Sequence, residues 1–260
     1  MSVNHHLLPF LRQAHCTIFA VGLLLSVAWA QRTAIGAEPP LRINTASVQP
    51  FATPDRKGFL DLLVGEIGHR IGRTAEVNLY EGASARSLQM ANDGDDDGEA
   101  LRIEGQEKRF PNLVRVPEPM IVNDFVAFSA PGKPAIENFQ DLLAANTGYI
   151  IGWWVFQRNL QDAQHVTTVR GADQLFSMIR IGRIDYGLYE KWQGLWTAKA
   201  IGVPVQVHHP PLVKTEMFMY LHKKHADLVP KVSAALVKMK QDGSYQTLIE
   251  KTLTPLLRQG

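Results

Sequence analysis

The stretch from Asp93 to Glu104, DGDDDGEALRIE, carries carboxylates at its first, third, fifth and twelfth positions and a glycine at its sixth. These are the oxygen donors, the sharp turn and the bidentate ligand of a calcium loop. Such a loop must also be flanked by two helices. ASARSLQMAN supplies an incoming helix, but the outgoing side, EGQEKRFP, is weakened by Gly105 and cut short by Pro111. A polar turn between that helix and a strand at GEALRI uses the same Asp and Gly residues as turn formers. The turn is the reading adopted here, a calcium-binding module at Asp93 to Glu104 is the alternative, and no metal site is assigned. His208-His209 lies beside Pro210-Pro211, and HKKH spans His222 to His225; neither has a carboxylate or thiol cluster near it in sequence, so both are expected at the surface. There is no Ser-centred elbow, phosphate loop or dinucleotide fingerprint, so no catalytic residue and no cofactor is assigned.

Elements must position whatever chemistry the chain does have. With 260 residues and 45% hydrophobic content the chain can bury one large core or two medium ones. Arg12 precedes the uncharged run CTIFAVGLLLSVAWA, Cys16 to Ala30, followed by small residues, which is the layout of a secretory signal. Residues 1–37 are expected to be this signal, with cleavage after Ala30 as the alternative. The run is shorter than the roughly 20 residues of a membrane span, so an exported, soluble protein is expected. Cys16, the single cysteine, falls inside the signal and leaves the mature chain without thiol or disulfide. Beyond residue 37, 25 Lys and Arg balance 25 Asp and Glu, and nothing calls for nucleic acid or an anionic membrane.

LRINTASV reads as a strand, and in GFLDLLVGEIGHRIG the residues Phe59, Leu63, Ile67 and Ile71 recur every fourth position with Gly72 as a cap. A strand from Ala75 to Tyr80 and the helix before the acidic turn continue a strand-helix alternation, which favours an α/β layer with a largely parallel sheet. After two extended pieces, LVRVPEPM and NDFVAFS, and a break at Ala130 to Pro134, a second α/β series begins. Helical IENFQDLLAAN, strand GYIIGWW, a helix from Phe156, strand VTTV, helix ADQLFSMIRIG, strand DYGLYE and helix KWQGLWTAKAIG follow in order. A third extended piece, EMFMYL, leads to two closing helices with Pro230 in the opening turn and Gly243 between them.

In this order, RINTASVQPF, GFLDLLVGEIGHRIG, RSLQMANDGDDDGEALRI and PEPMIVNDFVAFS resemble the first lobe of the type-II periplasmic solute-binding proteins of the polar amino-acid uptake family, the family 3 solute-binding proteins of ABC transporters. GYIIGWW, ADQLFSMIRIGRIDYGLYE and EMFMYLHKKHADLVPKVSAALVKMKQDGSYQTLIEK resemble its second lobe and closing segment, so the likeness spans roughly residues 40 to 252. The resemblance implies a two-lobed α/β fold, each lobe a mixed sheet flanked by helices, joined by two hinge strands at NDFVAFS and EMFMYL. Lobe 1 would be residues 38–127 plus 217–260 and lobe 2 residues 128–216. It further implies a periplasmic monomer that closes on a small polar, amino-acid-like solute and serves an ABC-type permease or a membrane receptor.

The family's carboxylate clamp, a T-x-E-R stretch, reads RIEGQEKRF here. Arg102 is the best substitute for the clamp, since a guanidinium fork suits a carboxylate, with Arg109 second. Counting through GRIDYGLYE places the family's second-lobe acid at Glu190, where it would meet a substrate ammonium. Phe51 and Tyr80 would pack on the ligand. The loop after IIGWW, which usually offers small donors, carries Trp154, Phe156, Gln157 and Arg158 instead, and Trp154 and Gln157 are taken as ligand-binding. The runner-up is a periplasmic enzyme on the same scaffold, dehydratase-like, with Glu190 or Glu104 as its acid or base.

Overall fold

Leu41 and Ile43 of the strand LRINT are buried beside Phe59, Leu60, Leu63, Val64 and Ile67, all on one side of the helix that follows. In the computed structural model, which describes residues 38–81 and 84–258, this packing forms part of the first lobe's core. The segment 1–37, expected to be a signal, lies outside the described residues. The strand is β1 (Leu41–Thr45) and the helix α1 (Phe59–Arg70), ended by Ile71 and by Gly72 at φ +74. The carboxylate of Asp61 accepts from the backbone N–H of Gly58 and of Thr53, which fixes the helix start. Next come β2 (Ala75–Leu79), α2 (Ser84–Asp93) and β3 (Gly98–Arg102), and β1 runs parallel to both other strands. Among the described residues no helix is long and apolar enough to cross a membrane.

The chain then passes a short strand β4 (Leu113–Arg115) and enters the long β5 (Ile121–Ser129). The second lobe consists of β6 (Asn146–Ile150), α3 (Trp154–Asn159), β7 (His165–Val169), α4 (Ala172–Arg180), β8 (Tyr186–Glu190), α5 (Lys191–Ala200) and β9 (Gln206–Val207). Strand β10 (Val213–His222) returns to the first lobe, where α6 (Val229–Gln241) and α7 (Ser244–Thr252) close the chain. IENFQDLLAAN, expected to be a full helix, forms only a 3-10 turn over Phe139–Leu142. Asn138 caps that turn by accepting from Gln140 N–H, and β6 already begins at Asn146, so no residues remain for a longer helix.

All ten strands join one sheet with the order β2-β1-β3-β10-β5-β8-β6-β7; β4 pairs with β10 and β9 with β5. Separate apolar cores lie on its lobes: Phe59, Leu63, Val232 and Leu236 in the first, and Phe128, Leu175, Phe176 and Ile179 on one face of the second. Phe125, Leu142, Phe156 and Tyr186 fill the other face of the second lobe. Each such buried side chain contributes about 1.5–3 kcal/mol.

The strand register sets how the lobes meet. Arg102, the last residue of β3, is opposite Phe218 on β10; its neighbour Met217 is opposite Ile121; and further along β5, Phe125 is opposite Glu190, the last residue of β8. The strands of the two lobes therefore advance toward each other and stop on either side of the crossing segment Ile121–Phe125, which is roughly 13 Å long at about 3.3 Å per residue. A cleft bounded by the C-terminal ends of two sets of parallel strands is where α/β sheets take ligands.

Candidate functional site: the cleft at the strand crossing

The first-lobe edge is dominated by charges that satisfy one another. Leu101 is held at φ +58, and this left-handed kink interrupts the alternation of β3. In a regular strand Glu99 and Arg102 would point to opposite faces; past the kink, Arg102 turns back and its Nε donates to Glu99 Oε1 at 2.6 Å. Its Nη1 donates to Ser84 Oγ at 2.6 Å and its Nη2 to the Ser84 carbonyl. The Ser87 hydroxyl donates to the other Glu99 oxygen. Burial pushes the Glu99 carboxyl up, against the pull of Arg102 and Ser87. Arg102, expected to clamp a carboxylate of the solute, thus already holds one of the protein's own.

The acidic turn is used the same way. The N–H groups of Asp95 and Asp96 both reach the Met90 carbonyl and close α2. Asp96 accepts from Tyr80 OH at 2.8 Å and pairs with Arg42 at 3.0 Å. Asp97 accepts from the Arg42 N–H at 2.9 Å and meets Lys224 at 2.8 Å and His225 at 2.7 Å. Burial raises the Asp97 carboxyl, but these partners outweigh it and hold it at about 2. Asp97 and Glu104 flank β3 on opposite sides, on the order of 20 Å of extended chain apart. Four ligands cannot converge on one cation across that strand, and among the described residues no group of three or more His, Cys, Asp or Glu is placed to hold a metal. His225, expected to lack a carboxylate, has Asp97.

His208 is likewise not at the surface; it is 3% exposed. Its Nδ1 accepts from the Ile136 N–H at 3.1 Å, so its proton sits on Nε2, which donates to Ser129 Oγ at 2.8 Å; Ser129 in turn donates to the Ala130 carbonyl. This resembles a nucleophile and its base, but the imidazole gives a proton to the serine where a base would take one. Burial and then the neighbouring His209 lower the His208 pKa, which keeps the ring neutral. The pair fastens the loop after β5 to β9.

Phe51 is 1% exposed and packs edge-on against Phe59 in the first-lobe core, so its ring is already covered. Tyr80 is half-buried, spends its hydroxyl on Asp96, and has the Arg86 guanidinium over its ring at 5.9 Å. Arg109 is exposed with its guanidinium over Phe110.

The second-lobe edge differs. Glu190 ends β8 and caps α5, with its Oε2 accepting from Gln193 N–H at 2.8 Å. Its Oε1 is buried and has no partner, and the residue is 1% exposed. Burial pushes the carboxyl up to about 8; the backbone N–H groups of Gln193 and Trp192 and the Lys191 ammonium oppose this, and Asp124 adds to it. At neutral pH the side chain is therefore a neutral acid, with Oε2 accepting and the proton on Oε1. Opposite residues in a ladder share a face, as do residues two apart, so Glu190, Phe125 and Asn123 lie on one face of the crossing. Asn123 is also buried, and its Oδ1 has no partner. Buried oxygens without partners are rare in folded proteins, and here two occur on one face. Asn123 is a residue that sequence reasoning missed; a polar amide within the apolar run IVNDFVAF was the signal available.

The Trp153 ring lies 4.8 Å from the Tyr189 ring and 5.7 Å from that of Phe125, and is stacked on Phe156. Trp154, the first residue of α3, is 62% exposed, and the Arg158 guanidinium lies over its ring at 4.4 Å. Gln157 is exposed on the same helix. Ile103 follows β3 on the facing edge, and its carbonyl is held by the buried Tyr220 hydroxyl, whose pKa burial pushes up to about 12. A separate hollow of about 690 Å³ lies between α1 and α6, lined by Glu66, His69, Arg70, Lys231, Lys238 and Asp242. It sits at the C-terminal end of α1, on the side of the sheet away from the strand ends.

No protein-family model matches the chain. An uncharacterized protein of Shewanella oneidensis is 27% identical over 176 residues, 62% of this chain, and the match spans 64% of that protein's length. An ancestral cationic amino-acid solute-binding protein superposes with a TM-score of 0.68 at 20% identity, covering 82% of this chain and 95% of its own. The fold is that of the type-II periplasmic binding proteins. The glutamate-bound ligand-binding core of a receptor from Nostoc punctiforme (TM-score 0.64, 18% identity, 82% and 99% covered) has the same architecture. So does a histidine kinase sensor domain with similarity to periplasmic binding proteins (0.65, 16%, 82% and 96%).

Proposed function

We propose that this chain is an exported solute-binding protein that captures a small polar solute between its lobes and presents it to a membrane partner, an ABC-type permease or a sensor. In this reading lobe 1 is residues 38–127 with 217–260, lobe 2 is residues 128–216, and β5 and β10 are the hinges. Among the described residues three buried side-chain oxygens have no partner. The observation that carries the reading is that two of them, Glu190 Oε1 and Asn123 Oδ1, share the face of the strand crossing between the two lobes, the third being Asn44 Oδ1 on β1. A solute group that accepts from the Glu190 O–H and donates to Asn123 would satisfy both, and such sites bind because water cannot replace the missing partners as well. Trp154 and Gln157 lie on the lip of the cleft and belong to the site, while Arg102, Tyr80 and Phe51 support its first-lobe wall.

Thermal denaturation of the purified protein against amino acids, polyamines and small carboxylates tests this reading. A solute at a hundredfold its dissociation constant adds about 2.7 kcal/mol, raising the midpoint by roughly 5–10 °C for a protein of this size. Glu190→Gln is expected to reduce that shift by more than half. A panel in which no solute moves the midpoint would contradict the reading.

One observation favours an enzyme as second reading. A carboxyl held at about 8 is the neutral acid a dehydratase needs at neutral pH, and the ancestral protein above is also described as a precursor of cyclohexadienyl dehydratase. Turnover of a stabilising solute, abolished in Glu190→Gln, would decide for it; binding without turnover decides against.

A further inference from the structure

The outer strands of the sheet, β2 and β7, are finished differently. On β2, Glu76 is held in an ion pair with Arg56, the kind of charge that keeps an edge from pairing with another chain. Strand β7, HVTTV, has no Lys, Pro, acid or bulge; His165, Val166, Thr167 and Thr168 are exposed and only Val169 is buried. The Val169 carbonyl accepts from the Ile151 N–H, so Val169 addresses β6, and with the two-residue period of a strand so do Thr167 and His165. Val166 and Thr168 therefore turn their N–H and C=O groups outward, where nothing among the described residues meets them. The groups at either end are closed: the Gln164 N–H donates to the Leu143 carbonyl and the Arg170 N–H to Gln174 Oε1.

We infer that β7 is a self-association edge, on which a second copy of this chain adds its own β7 antiparallel about an axis at Thr167. In that register Val166 lies opposite Thr168 of the second copy on each side of the axis, and each pair exchanges both of its N–H···O bonds, so every outward group is satisfied. A slip of one residue sets outward groups against inward ones. A slip of two sets Thr168 against Gln164, or Val166 against Arg170, whose N–H groups are already used. The charges agree with the register. Arg170 falls diagonal to Asp162 of the second copy, within reach of a long side chain, and both are exposed and make no ion pair among the described residues. The dimer departs from the monomer that the resemblance implies, and it does not use the crossing strands β5 and β10.

Sedimentation velocity of the purified protein at rising concentration tests this. The expected result is a reversible equilibrium between monomer and dimer. Thr167→Lys and Thr167→Glu each set like charges opposite one another at the axis and should weaken association by about fivefold. Mixed in equal amounts, the two variants should associate at least as tightly as the wild type. Thr168→Pro removes an outward N–H that is free within the described residues, so the dimer should be lost while the unfolding midpoint holds. A protein that stays monomeric at every concentration overturns the inference and leaves the edge to a strand of another chain. A dimer indifferent to both Thr168→Pro and the Thr167 variants is formed by a different surface and overturns it as well. A mixture of Thr167→Lys and Thr167→Glu that associates no better than either alone overturns the register.

Discussion

Glu99, near the start of β3, and Glu190, at the end of β8, are both buried carboxyls pushed up by burial, yet they have opposite surroundings. Glu99 has Arg102 on one oxygen and Ser87 on the other. Glu190 has a helix N–H on one oxygen and nothing on the other. The first lobe repeats the pattern of Glu99 in Asp96 and Asp97, each enclosed by cations and hydroxyls or backbone N–H groups. The second lobe repeats that of Glu190 in its exposed Ile151 and Trp154. A satisfied buried charge holds a structure together, whereas an unsatisfied one at a cleft is available to a ligand.

The sharpest way to break this comparison is Arg102→Ala. It strands Glu99 in the interior without its cation, and the expected cost is about 3 kcal/mol of unfolding free energy, read by urea denaturation. Solute affinity should change less than twofold; a large loss of affinity with little loss of stability would make Arg102 a ligand residue after all.

Glu190→Gln should act mainly through pH. Because the folded carboxyl titrates at about 8, above its unfolded value of 4.5, its contribution to stability is complete below pH 4.5 and lost as pH rises through 8. Asp124 on β5 and Lys191 on α5 are the charged groups facing it. The wild type is expected to lose about 2–4 kcal/mol between pH 4.5 and 9 that the variant does not lose. Parallel stability curves for the two proteins would show that Glu190 is not held neutral.

A smaller effect with opposite sign belongs to Asp97. Its folded carboxyl is depressed to about 2, so its contribution is present above pH 3.8 and lost as pH falls toward 2. Asp97→Asn should cost about 2 kcal/mol at pH 6 and nothing at pH 2. Addition of calcium should stabilise neither protein; a calcium-dependent rise in the wild-type midpoint alone would restore the metal reading of the acidic turn.

The strand and helix order was legible because it is written in local periodicity. Phe59, Leu63 and Ile67 declare α1, Gly72 ends it, and the extended pieces NDFVAFS and EMFMYL, which the family resemblance implies are hinge strands, form the two crossing strands. The fates of the polar residues were not legible, because their partners are distant in sequence. His225 is 128 residues from Asp97 and His208 is 79 from Ser129. Glu99 meets Arg102 only because of a left-handed Leu101 that no residue type announces. Glu190 is reached only through the family resemblance, which implies an acid at that point of GRIDYGLYE, and that it keeps a free oxygen is a property of the packed crossing.

Small-angle X-ray scattering of the wild type and Glu190→Gln, titrated with each solute that raises the wild-type midpoint, tests the central claim most directly. If the lobes close on a solute at the crossing, the radius of gyration falls on binding in the wild type, and in Glu190→Gln only at much higher solute concentration. A solute that stabilises the protein with no contraction, or that contracts both proteins at the same concentration, would contradict the account.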